Sequence, residues 1–445
     1  MTLQWLFQRF HDNAKDEAVI WRDQSIHYAE LLGRIRAAQI FLAEQRVQPG
    51  EAVVIDADYS PGSIALLMAT IANRNIVVPI AAHVKSDREK YAKIGEAKWY
   101  FKVLPDDRYE RHSYSFEMKH PFNLQLRNQG SPGLILFSSG STGEPKASLH
   151  NLDFLLAKYQ VQRNSQRILA FLLFDHIGGF NTLFYTLSNH GCVIALEARD
   201  AVSVCRAIER HRAQVLPTSP TFLNLLLMSE AWRDYDLSSL QLITYGTEAM
   251  PEATLRKLNQ RFPHIRFLQT YGLSELGILR SKSRTSDSLW VKVGGEDYQT
   301  RVVDGLLHIR AKSSMMGYLN APSPFDDEGW FNTQDEVEVD GEWLCFKGRK
   351  SDIINVGGEK VYPAEVESVI LEVDNVLDTT VSKESHPITG NIVVAAVTLR
   401  QPEPLRDVAR RVQSYCFQRL PRYKVPVKVY AAESPGVTER FKRQR

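Results

Sequence analysis

The sequence predicts an α/β protein with a large N-terminal domain of helix-covered, mainly parallel sheets, a small β-rich subdomain, and a small α+β domain at the C-terminus. Three observations lead to this. Strand and helix patterns alternate up to about residue 290, short strands and turns follow, and a compact α+β pattern begins after residue 350. The alternation is typical of parallel strands joined by crossover helices. A chain of 445 residues has room for two or three such units.

The alternating region begins with apolar residues at helical spacing over 28–45. A strand over 51–56, a helix over 62–73 and a strand over 75–80 follow. The same rhythm then predicts strands over 167–174, 193–196 and 215–217 and helices over 181–187, 201–211 and 219–228. We therefore expect parallel sheets in this region.

From Ser288 the pattern shortens to strands over 291–293, 300–303 and 306–309, which predicts the β-rich subdomain. The polar stretch Gly348–Asp352 interrupts it. Beyond this break, the pattern predicts strands over 353–355, 376–382 and 391–399 and helices over 363–373 and 403–419. We expect an N-terminal domain of residues 1–350 and a C-terminal domain of residues 351–445, joined at about 349–352.

The composition argues against several classes of function. Lys and Arg number 54 and Asp and Glu number 52, so no overall field attracts nucleic acid or anionic membrane. The longest apolar runs are about ten residues, too short to span a bilayer. Four cysteines stand singly, without a C-x-x-C pair, which suits a reducing compartment. We expect a cytoplasmic protein without stable membrane insertion. Its oligomeric state stays open.

The residues from Ser138 to Lys146 carry the first functional signal. They follow an apolar strand over 133–137 and read Ser138, Ser139, Gly140, Ser141, Thr142, Gly143, Glu144, Pro145 and Lys146. Small residues let backbone N–H groups approach an anion closely, and the hydroxyls and Lys146 add donors. This chemistry suits a polyphosphate, although the usual P-loop spacing is absent. On composition alone, a polar loop between two strands is an equal alternative.

Two further clusters lie downstream. Gln269–Gly277 contains an aromatic ring, glycines, a hydroxyl and a carboxylate directly after an apolar strand. Thr333–Asp335 is followed about a dozen residues later by Gly348 and Arg349. A carboxylate can accept hydrogen bonds from both ribose hydroxyls, and an arginine adds a charge-assisted bond. Each cluster alone is also compatible with an ordinary turn or surface.

The order and spacing of these motifs resemble the adenylate-forming superfamily, which contains acyl-CoA synthetases, luciferases and the adenylation domains of nonribosomal peptide synthetases. The resemblance covers essentially the whole chain. The matching motifs are the loop 138–146, Tyr271–Glu275, Gly317–Tyr318, Thr333–Asp335, Gly348–Asp352 and Asn355–Glu367.

The resemblance implies ATP-dependent activation of a small carboxylic acid to an acyl-adenylate, with release of pyrophosphate. The acyl group then passes to the thiol of CoA or of phosphopantetheine on a separate acyl or peptidyl carrier protein. The loop 138–146 would hold the β- and γ-phosphates, and Glu275 would hold Mg²⁺. Tyr271 beside Gly272 would stack on adenine, with Thr247 and Glu248 on the nucleotide's other side. Asp335 and Arg349 would hold the ribose, and Ser274 would lie near the α-phosphate.

The family also uses a lysine near its C-terminus to reach the carboxylate and the α-phosphate. Its usual Asn/Ser-Gly-Lys is Arg440-Phe441-Lys442 in this chain. Spacing from Thr438 selects Lys442, whereas alignment on the following apolar residue selects Arg440; we favour Lys442. In the family the small C-terminal domain rotates at the hinge, where this chain has Ser351. Gln334 replaces a usual glycine.

His176 matches a histidine that borders the acyl pocket in acyl- and aryl-CoA ligases of the family. A histidine satisfied within the core is the alternative. Amino-acid-activating members use an aspartate in this stretch, but here His176 takes that place and Asp175 precedes it. We therefore expect an aryl or fatty acid. A stand-alone amino-acid adenylation enzyme and a catalytically inactive nucleotide-binding relative remain alternatives.

Overall fold

The computed structural model describes residues 3–82, 87–139, 144–434, 436–438 and 441–443, and the side chain of Ser139 also lies outside this description. Within these ranges no helix is long and apolar enough to cross a membrane. The α-helices are α1 (Gln4–Asp12), α2 (Tyr28–Glu44), α3 (Pro61–Ala72), α4 (Arg88–Ile94), α5 (Pro121–Gln129), α6 (Leu152–Leu155), α7 (Ile177–Ser188), α8 (Ala201–His211), α9 (Pro220–Ser229), α10 (Glu252–Arg261), α11 (Pro363–Ile370) and α12 (Leu405–Phe417). Short 3₁₀ helices cover Ala157–Gln160, Ala231–Arg233 and Arg422–Lys424.

The strands divide into three stretches of the chain. The first comprises β1 (Glu17–Trp21), β2 (Gln24–His27), β3 (Ala52–Ala57), β4 (Ile76–Ala81), β5 (Trp99–Val103), β6 (Tyr109–Ser113), β7 (Gly133–Ser139), β8 (Pro145–Asn151), β9 (Arg167–Leu169), β10 (Cys192–Ile194), β11 (Val215–Thr218), β12 (Leu242–Tyr245) and β13 (Arg266–Gln269). The second comprises β14 (Gly272–Leu273), β15 (Gly277–Ile278), β16 (Arg280–Ser283), β17 (Trp290–Gly294), β18 (Tyr298–Val303), β19 (Leu306–Ala311), β20 (Gly317–Tyr318), β21 (Phe331–Asp340) and β22 (Trp343–Arg349). The third comprises β23 (Ile354–Val356), β24 (Glu359–Val361), β25 (Val376–His386), β26 (Gly390–Leu399) and β27 (Lys428–Ala431).

Two large sheets form the N-terminal part, with strand orders β13-β12-β11-β9-β10-β1-β2 and β20-β8-β7-β4-β3-β5-β6. Neighbouring strands from β13 to β1 in the first sheet are parallel, as are β5, β3, β4 and β7 in the second. Every residue of β3 and β4 is buried, because helices cover both faces of a parallel sheet. The predicted α/β fold class is confirmed.

One apolar cluster joins the two sheets through the helices between them. It includes Leu31 of α2, Val53 of β3, Leu67 of α3, Leu183 of α7 and Val193 of β10, each at most 1% exposed. Helix α3 is apolar on all sides, which matches its position between the two sheets. The two sheets therefore share one core, and the loops at their edges keep a defined relative position.

The predicted β-rich subdomain is present as an antiparallel sheet with the order β16-β17-β22-β21-β19-β18. The register pairs Asp335 of β21 with Arg349 of β22. This pairing follows from the antiparallel geometry, in which residues opposite one another have adjacent side chains. The two residues predicted to hold a ribose are therefore neighbours across the sheet.

Residues after the hinge motif form the β23–β24 hairpin and a sheet of β25, β26 and β27, packed on α11 and α12. The predicted helices over 363–373 and 403–419 are shorter in the structure, at Pro363–Ile370 and Leu405–Phe417. The predicted strand over 167–174 ends at Leu169, because the chain then leaves the sheet and begins α7 at Ile177. The domain boundary near residue 350 and the hinge stay predictions.

Phe101 offers a test of the shared core. Its ring is fully buried on β5 and contacts the rings of Phe41 and Trp99. We expect Phe101→Ala to lower the free energy of unfolding by about 3–5 kcal/mol, the usual cost of a large core cavity. Urea unfolding measures this difference. Phe417→Ala is the control, since Phe417 is 64% exposed; equal losses in the two variants would contradict the assignment.

Candidate active site

The carboxyl ends of β11, β12 and β13 lie at one level of the first sheet. The register pairs Thr218 with Tyr245 and Tyr245 with Gln269. The next residues along each strand are therefore neighbours: Ser219 after β11, Gly246–Glu248 after β12 and Thr270–Tyr271 after β13. In open α/β sheets this edge is where ligands bind, because loops from several strands meet there.

Tyr271 connects this edge to the antiparallel sheet. Its hydroxyl donates to Asp335 Oδ2 at 2.6 Å, and its ring stacks on Phe346 with ring centres 4.5 Å apart. Arg349 Nε lies 3.4 Å from the other oxygen, Asp335 Oδ1. Burial raises the pKa of the Asp335 carboxyl, with the Arg349 charge and the Tyr271 hydroxyl acting in the opposite direction. The residues predicted to bind adenine and ribose are thus brought together.

These side chains form one wall of a cleft with a volume of about 820 Å³, part of it open to solvent. The cleft lies between the strand-end loops and the antiparallel sheet. Residues lining it include the predicted nucleotide-binding residues Thr247, Glu248, Tyr271, Gly272, Asp335 and Arg349, together with Phe346, Asp352 and Pro363. A cleft of this size can accommodate a nucleotide.

Strands β7 and β8 flank the predicted phosphate-binding loop and form an antiparallel pair, which we call the phosphate-loop hairpin. Ser138 pairs with Lys146 across this hairpin, whereas Gly140, Ser141, Thr142 and Gly143 lie outside the described residues. Lys146 Nζ is 5.3 Å from the ring centre of Tyr318, whose hydroxyl donates to Glu275 Oε1 at 2.6 Å. The predicted phosphate-binding lysine and the predicted metal-binding carboxylate therefore contact opposite parts of one tyrosine.

The donor chemistry near Glu275 fits Mg²⁺. In the described part of the chain, no group of three or more His, Cys, Asp or Glu side chains could hold a metal by itself. Mg²⁺ is usually bound by one or two carboxylates together with substrate phosphates, so a single oriented carboxylate beside a phosphate loop is sufficient. Glu275 would hold the ion, which would neutralise charge on the phosphates.

His150 was not among the predicted site residues. It lies on β8, four residues after Lys146, and its Nε2 donates to the backbone oxygen of Ser274 at 2.5 Å. Burial lowers the pKa of its imidazole to about 4, so the ring is neutral at pH 7. This bond ties the phosphate-loop hairpin to the segment that carries Ser274 and Glu275. Its position four residues after Lys146 was the one signal in the sequence that His150 lies near the site. The sequence could not show which group a buried histidine contacts.

Glu248 lies in the cleft wall, but its carboxylate is directed to protein groups. Oε1 accepts from the backbone N–H and the hydroxyl of Thr221 at the start of α9. Oε2 accepts from the backbone N–H of Arg443 at 3.0 Å. Glu248 therefore links the sheet edge, the N-terminus of a helix and the C-terminal tail, and its role toward a nucleotide stays a prediction.

Lys442 shares a second, narrow cavity with His176, Thr247, Phe441 and Arg199. Thr247 lines both this cavity and the nucleotide cleft, so the two spaces adjoin. His176 also caps α7, where its Nδ1 accepts from the backbone N–H of Gly178 at 3.2 Å. The tail thus brings Lys442 to the residue predicted to border the acid. Arg440, the alternative cation, lies outside the described residues.

Phe441 and Arg443, on either side of Lys442, hold the C-terminal tail (residues 441–443) in place. The Phe441 ring packs on Phe171 and Phe222, with ring centres 5.2 and 5.7 Å away. Its backbone oxygen accepts from the Ser219 hydroxyl at 2.5 Å. Phe441 adopts a left-handed φ of 52°, the conformation that favours glycine, at the position where the resemblance expects glycine. This backbone conformation supports the alignment that selects Lys442.

Arg443 forms a buried ion pair with Asp378 of β25. The two atoms Arg443 Nη2 and Asp378 Oδ1 are 2.9 Å apart, and both side chains are 6% exposed. Asn224 Nδ2 of α9 donates to the same oxygen at 2.8 Å. The pair and this hydrogen bond therefore connect the tail, the C-terminal sheet and helix α9. Gln334, the other residue in a usual glycine position, also has a left-handed φ, of 61°.

Comparison with family sequence profiles identifies the family. The profile of the AMP-binding enzyme family matches residues 6–319. The profile of the AMP-binding enzyme C-terminal domain matches residues 365–442. The chain belongs to the AMP-binding enzyme family. The resemblance to adenylate-forming enzymes drawn from its motifs is confirmed.

Curated relatives of this AMP-binding enzyme include CoA ligases. It is 29% identical over 327 residues to indoleacetate–CoA ligase of Aromatoleum aromaticum, and 30% identical over 324 residues to a long-chain-fatty-acid–CoA ligase of Mycobacterium tuberculosis. Each match covers 67% of this chain but 63% of the relative. The 2-succinylbenzoate–CoA ligase of Bacillus subtilis is 25% identical, and its match covers 96% of this chain and 94% of that protein.

Solved structures share the fold over nearly the whole chain. The anthranilate CoA ligase AuaEII with anthranoyl-AMP superposes with a TM-score of 0.84 at 19% identity, covering 98% of this chain and 94% of that chain. ATP-bound MatB from Rhodopseudomonas palustris superposes with a TM-score of 0.78 at 22% identity, covering 98% and 96%. At such identities the likeness establishes the architecture alone.

His150 makes part of the stability of the site depend on pH. Its pKa is about 4 in the folded state and near 6.5 when unfolded. The unfolded chain therefore binds more protons between these values, and stability falls as the pH drops from about 6.5 to 4, by about 3 kcal/mol in all. We expect His150→Gln to lose this part of the acid sensitivity in urea unfolding across that range. His112→Gln, at an exposed histidine, is the control and should retain this acid sensitivity. Identical dependence of the unfolding free energy on pH in the two variants would contradict the prediction.

Asp378→Ala tests whether the Arg443–Asp378 ion pair holds the C-terminal tail in place. Removing one partner of a buried ion pair costs about 3–5 kcal/mol, because the other charge stays buried without compensation. We expect Arg443 to leave its site and the backbone amides of residues 441–443 to exchange hydrogen at least about 100 times faster. Hydrogen exchange with mass spectrometry measures this. Glu384→Ala, which removes an exposed partner of Lys428, is the control; unchanged exchange in Asp378→Ala would refute the ion pair's role.

Proposed function

We propose that this chain is an AMP-forming acid–thiol ligase. In the first step, an oxygen of the carboxylic acid attacks the α-phosphorus of ATP, forming the acyl-adenylate and releasing pyrophosphate. In the second step, a pantetheine thiolate attacks the acyl carbon and AMP leaves. The observation that carries the proposal is the position of Lys442, which shares a cavity with His176 and Thr247 directly beside the nucleotide cleft.

The arrangement supports the first step electrostatically. Negative charge spreads over phosphate oxygens as the α-phosphorus is attacked, and positioned cations stabilise that charge. Lys442 would lie between the acid and the α-phosphate, and Lys146 would contact the departing phosphates with Ser138 and Ser139. Mg²⁺ at Glu275 would neutralise further phosphate charge. Ser274 would border the α-phosphate, held in place through its backbone bond to His150.

The ribose and adenine contacts would orient the nucleotide. Asp335 has one oxygen on the Tyr271 hydroxyl and the other near Arg349, which holds the carboxylate at the cleft wall. Such a fixed acceptor suits the ribose hydroxyls. Orientation matters because a preset geometry converts the attack into an effectively intramolecular reaction.

We further propose that the acid lacks an α-amine and that CoA is the acceptor. Asp175, the residue nearest to an amine-binding aspartate, is buried and accepts from the backbone N–H of Ala81 at 3.2 Å. It is therefore engaged in the core rather than presented to a substrate ammonium. The relatives named above are CoA ligases for aryl and fatty acids, and a separate carrier protein is the alternative acceptor.

The second step requires the thiol to reach the acyl carbon that Lys442 borders. We propose that residues 351–445 rotate at about 349–352, with Ser351 at the hinge, and withdraw the tail. Contacts that would separate include ion pairs, such as Lys360 with Glu336 at 2.8 Å and Arg256 with Glu372 at 3.0 Å, and the packing of Phe441 on Phe171 and Phe222. Partly exposed ion pairs contribute little stability, so the loss of the Phe441 packing would be the main contribution that opposes rotation.

Lys442→Ala tests the first step. We expect acid-dependent exchange of pyrophosphate into ATP to fall at least about 100-fold, as for other residues that stabilise transition-state charge. The control is Lys383→Ala, which removes an exposed lysine from the same C-terminal sheet. Unchanged exchange would transfer the role to Arg440. Absence of exchange with every acid in the wild type, despite ATP binding, would favour a nucleotide-binding relative without catalysis.

A further inference from the structure

A buried ammonium group lies next to helix α7, outside the residues assigned above. Lys158, on the 3₁₀ helix Ala157–Gln160, donates from Nζ to Asn181 Oδ1 and to the backbone oxygen of Ile278, each at 2.9 Å. It also lies 4.9 Å from the ring centre of Tyr159. The ammonium is therefore enclosed by α7, β15 and its own helix.

No carboxylate compensates this charge among the residues that the structure describes, since burial is the cause that lowers the pKa of Lys158 to about 7. Both printed acceptors are neutral oxygens. A buried cation without a counter-ion is costly, and proteins normally pair such a group or place a ligand against it. The lysine is therefore about half neutral at pH 7, and an anion or a strong acceptor placed beside it would favour its charged form.

Two donors in the cluster also lack acceptors. An ammonium has three N–H bonds, and two are used in the described structure. Asn181 accepts through Oδ1 from Lys158 and from the Tyr159 hydroxyl at 2.8 Å, while its Nδ2 has no acceptor in the described ranges. Because both remaining groups are donors, a ligand oxygen satisfies them and a ligand cation does not.

Further hydrogen bonds fix the positions of the groups that surround Lys158. The Ile278 oxygen also accepts from the Tyr298 hydroxyl at 3.4 Å, and the Ser313 hydroxyl bonds Tyr298 at 3.1 Å and the Leu276 oxygen at 2.8 Å. These bonds hold the β15 backbone against Lys158. The ammonium is consequently restricted in position, which favours recognition of one defined group.

Its position along α7 relates it to the acid. Helix α7 begins directly after His176, and Asn181 is five residues farther, about 7.5 Å along the axis. Ile278 lies four residues after Ser274, on the β15 side of Lys158. Phe180 of α7 and Leu273 of β14 are buried in this region. The distance suits the length of an aryl ring or a short alkyl chain.

We propose that Lys158 and Asn181 bind an oxygen, carboxylate or phenolic, at the end of the acid remote from the reacting carboxylate. This inference rests on the proposed function, because it assigns the far end of the same acid. Lys158 supplies charge and one N–H, Asn181 supplies its amide N–H groups, and Ile278 fixes the ammonium between them. The substrate class is thus an acid with a second, distal oxygen function.

Matched acids test the proposal with the full chain. Pyrophosphate exchange is measured with benzoate, 4-hydroxybenzoate and 4-carboxybenzoate, and with hexanoate and adipate. We expect the wild type to prefer the acids with a distal oxygen in kcat/KM, chiefly through KM. Lys158→Met should reduce that preference at least tenfold and leave or improve activity on benzoate and hexanoate. The hydroxyl and carboxylate arms distinguish the two oxygen types.

Controls separate this role from a structural one. Lys119→Met removes a lysine whose side chain is 76% exposed and should leave the preference unchanged. Asn181→Ala should lower the same preference without affecting the unsubstituted acids. Because the lysine loses its charge above pH 7, the wild-type preference for 4-carboxybenzoate should fall as pH rises from 6 to 8, and Lys158→Met should lack this dependence.

Outcomes distinguish the two proposals. A wild-type preference for benzoate and hexanoate, or an equal loss on all acids in Lys158→Met, would overturn the distal site and leave the ligase function intact. If no acid supports exchange, the proposed function fails. Melting temperatures then decide the site separately: stabilisation by 4-carboxybenzoate that is lost in Lys158→Met supports it, and no stabilisation by any acid refutes it.

Discussion

Hydrogen bonding between the parallel strands β11, β12 and β13 is the constraint on which the site depends. It brings three strand ends to one level, and each end then holds a different part of the molecule. Ser219 binds the backbone of Phe441, Glu248 binds that of Arg443, and Tyr271 binds Asp335 of the antiparallel sheet. A shift of one strand by one residue would separate these contacts, because alternate side chains point to opposite faces.

Charged groups near the site differ in how they are compensated. Arg199, which borders the Lys442 cavity, is buried with both terminal nitrogens on the Asp58 carboxylate, at 2.8 and 2.9 Å. Arg443 has Asp378. These pairs are complete within the described chain and hold elements together. Lys158 differs, since its partners are neutral, and this contrast is the physical reason for assigning it to a ligand rather than to the framework.

Two residues that directly precede predicted site residues, Phe441 and Gln334, have a left-handed backbone conformation. A left-handed conformation costs a residue with a side chain about 1–2 kcal/mol relative to glycine. Phe441 offsets this cost by burying its ring between Phe171 and Phe222. Gln334, within β21, is exposed and gains no such packing, and the next residue, Asp335, lines the cleft. In both cases the strained residue directly precedes a predicted site residue.

The sequence by itself determined the fold class and most of the candidate site. Period-two and helical patterns are local properties, so they identified the parallel core, the β-rich sheet and the C-terminal α+β unit. Ordered motifs likewise predicted site roles for Tyr271, Glu275, Asp335 and Lys442, and these roles stay predictions. Element ends were less predictable, as with the strand that ends at Leu169, because a strand stops where its neighbour stops.

Only the tertiary structure decided which of these groups meet. The pairing of His150 with Ser274, and of Arg443 with Asp378, joins residues 124 and 65 positions apart along the chain. Nothing local encodes such a contact, since it depends on how separate sheets pack. Lys158 had no signal at all in the sequence: burial without a counter-ion is a property of surroundings, and it became visible once α7 and β15 enclosed the ammonium.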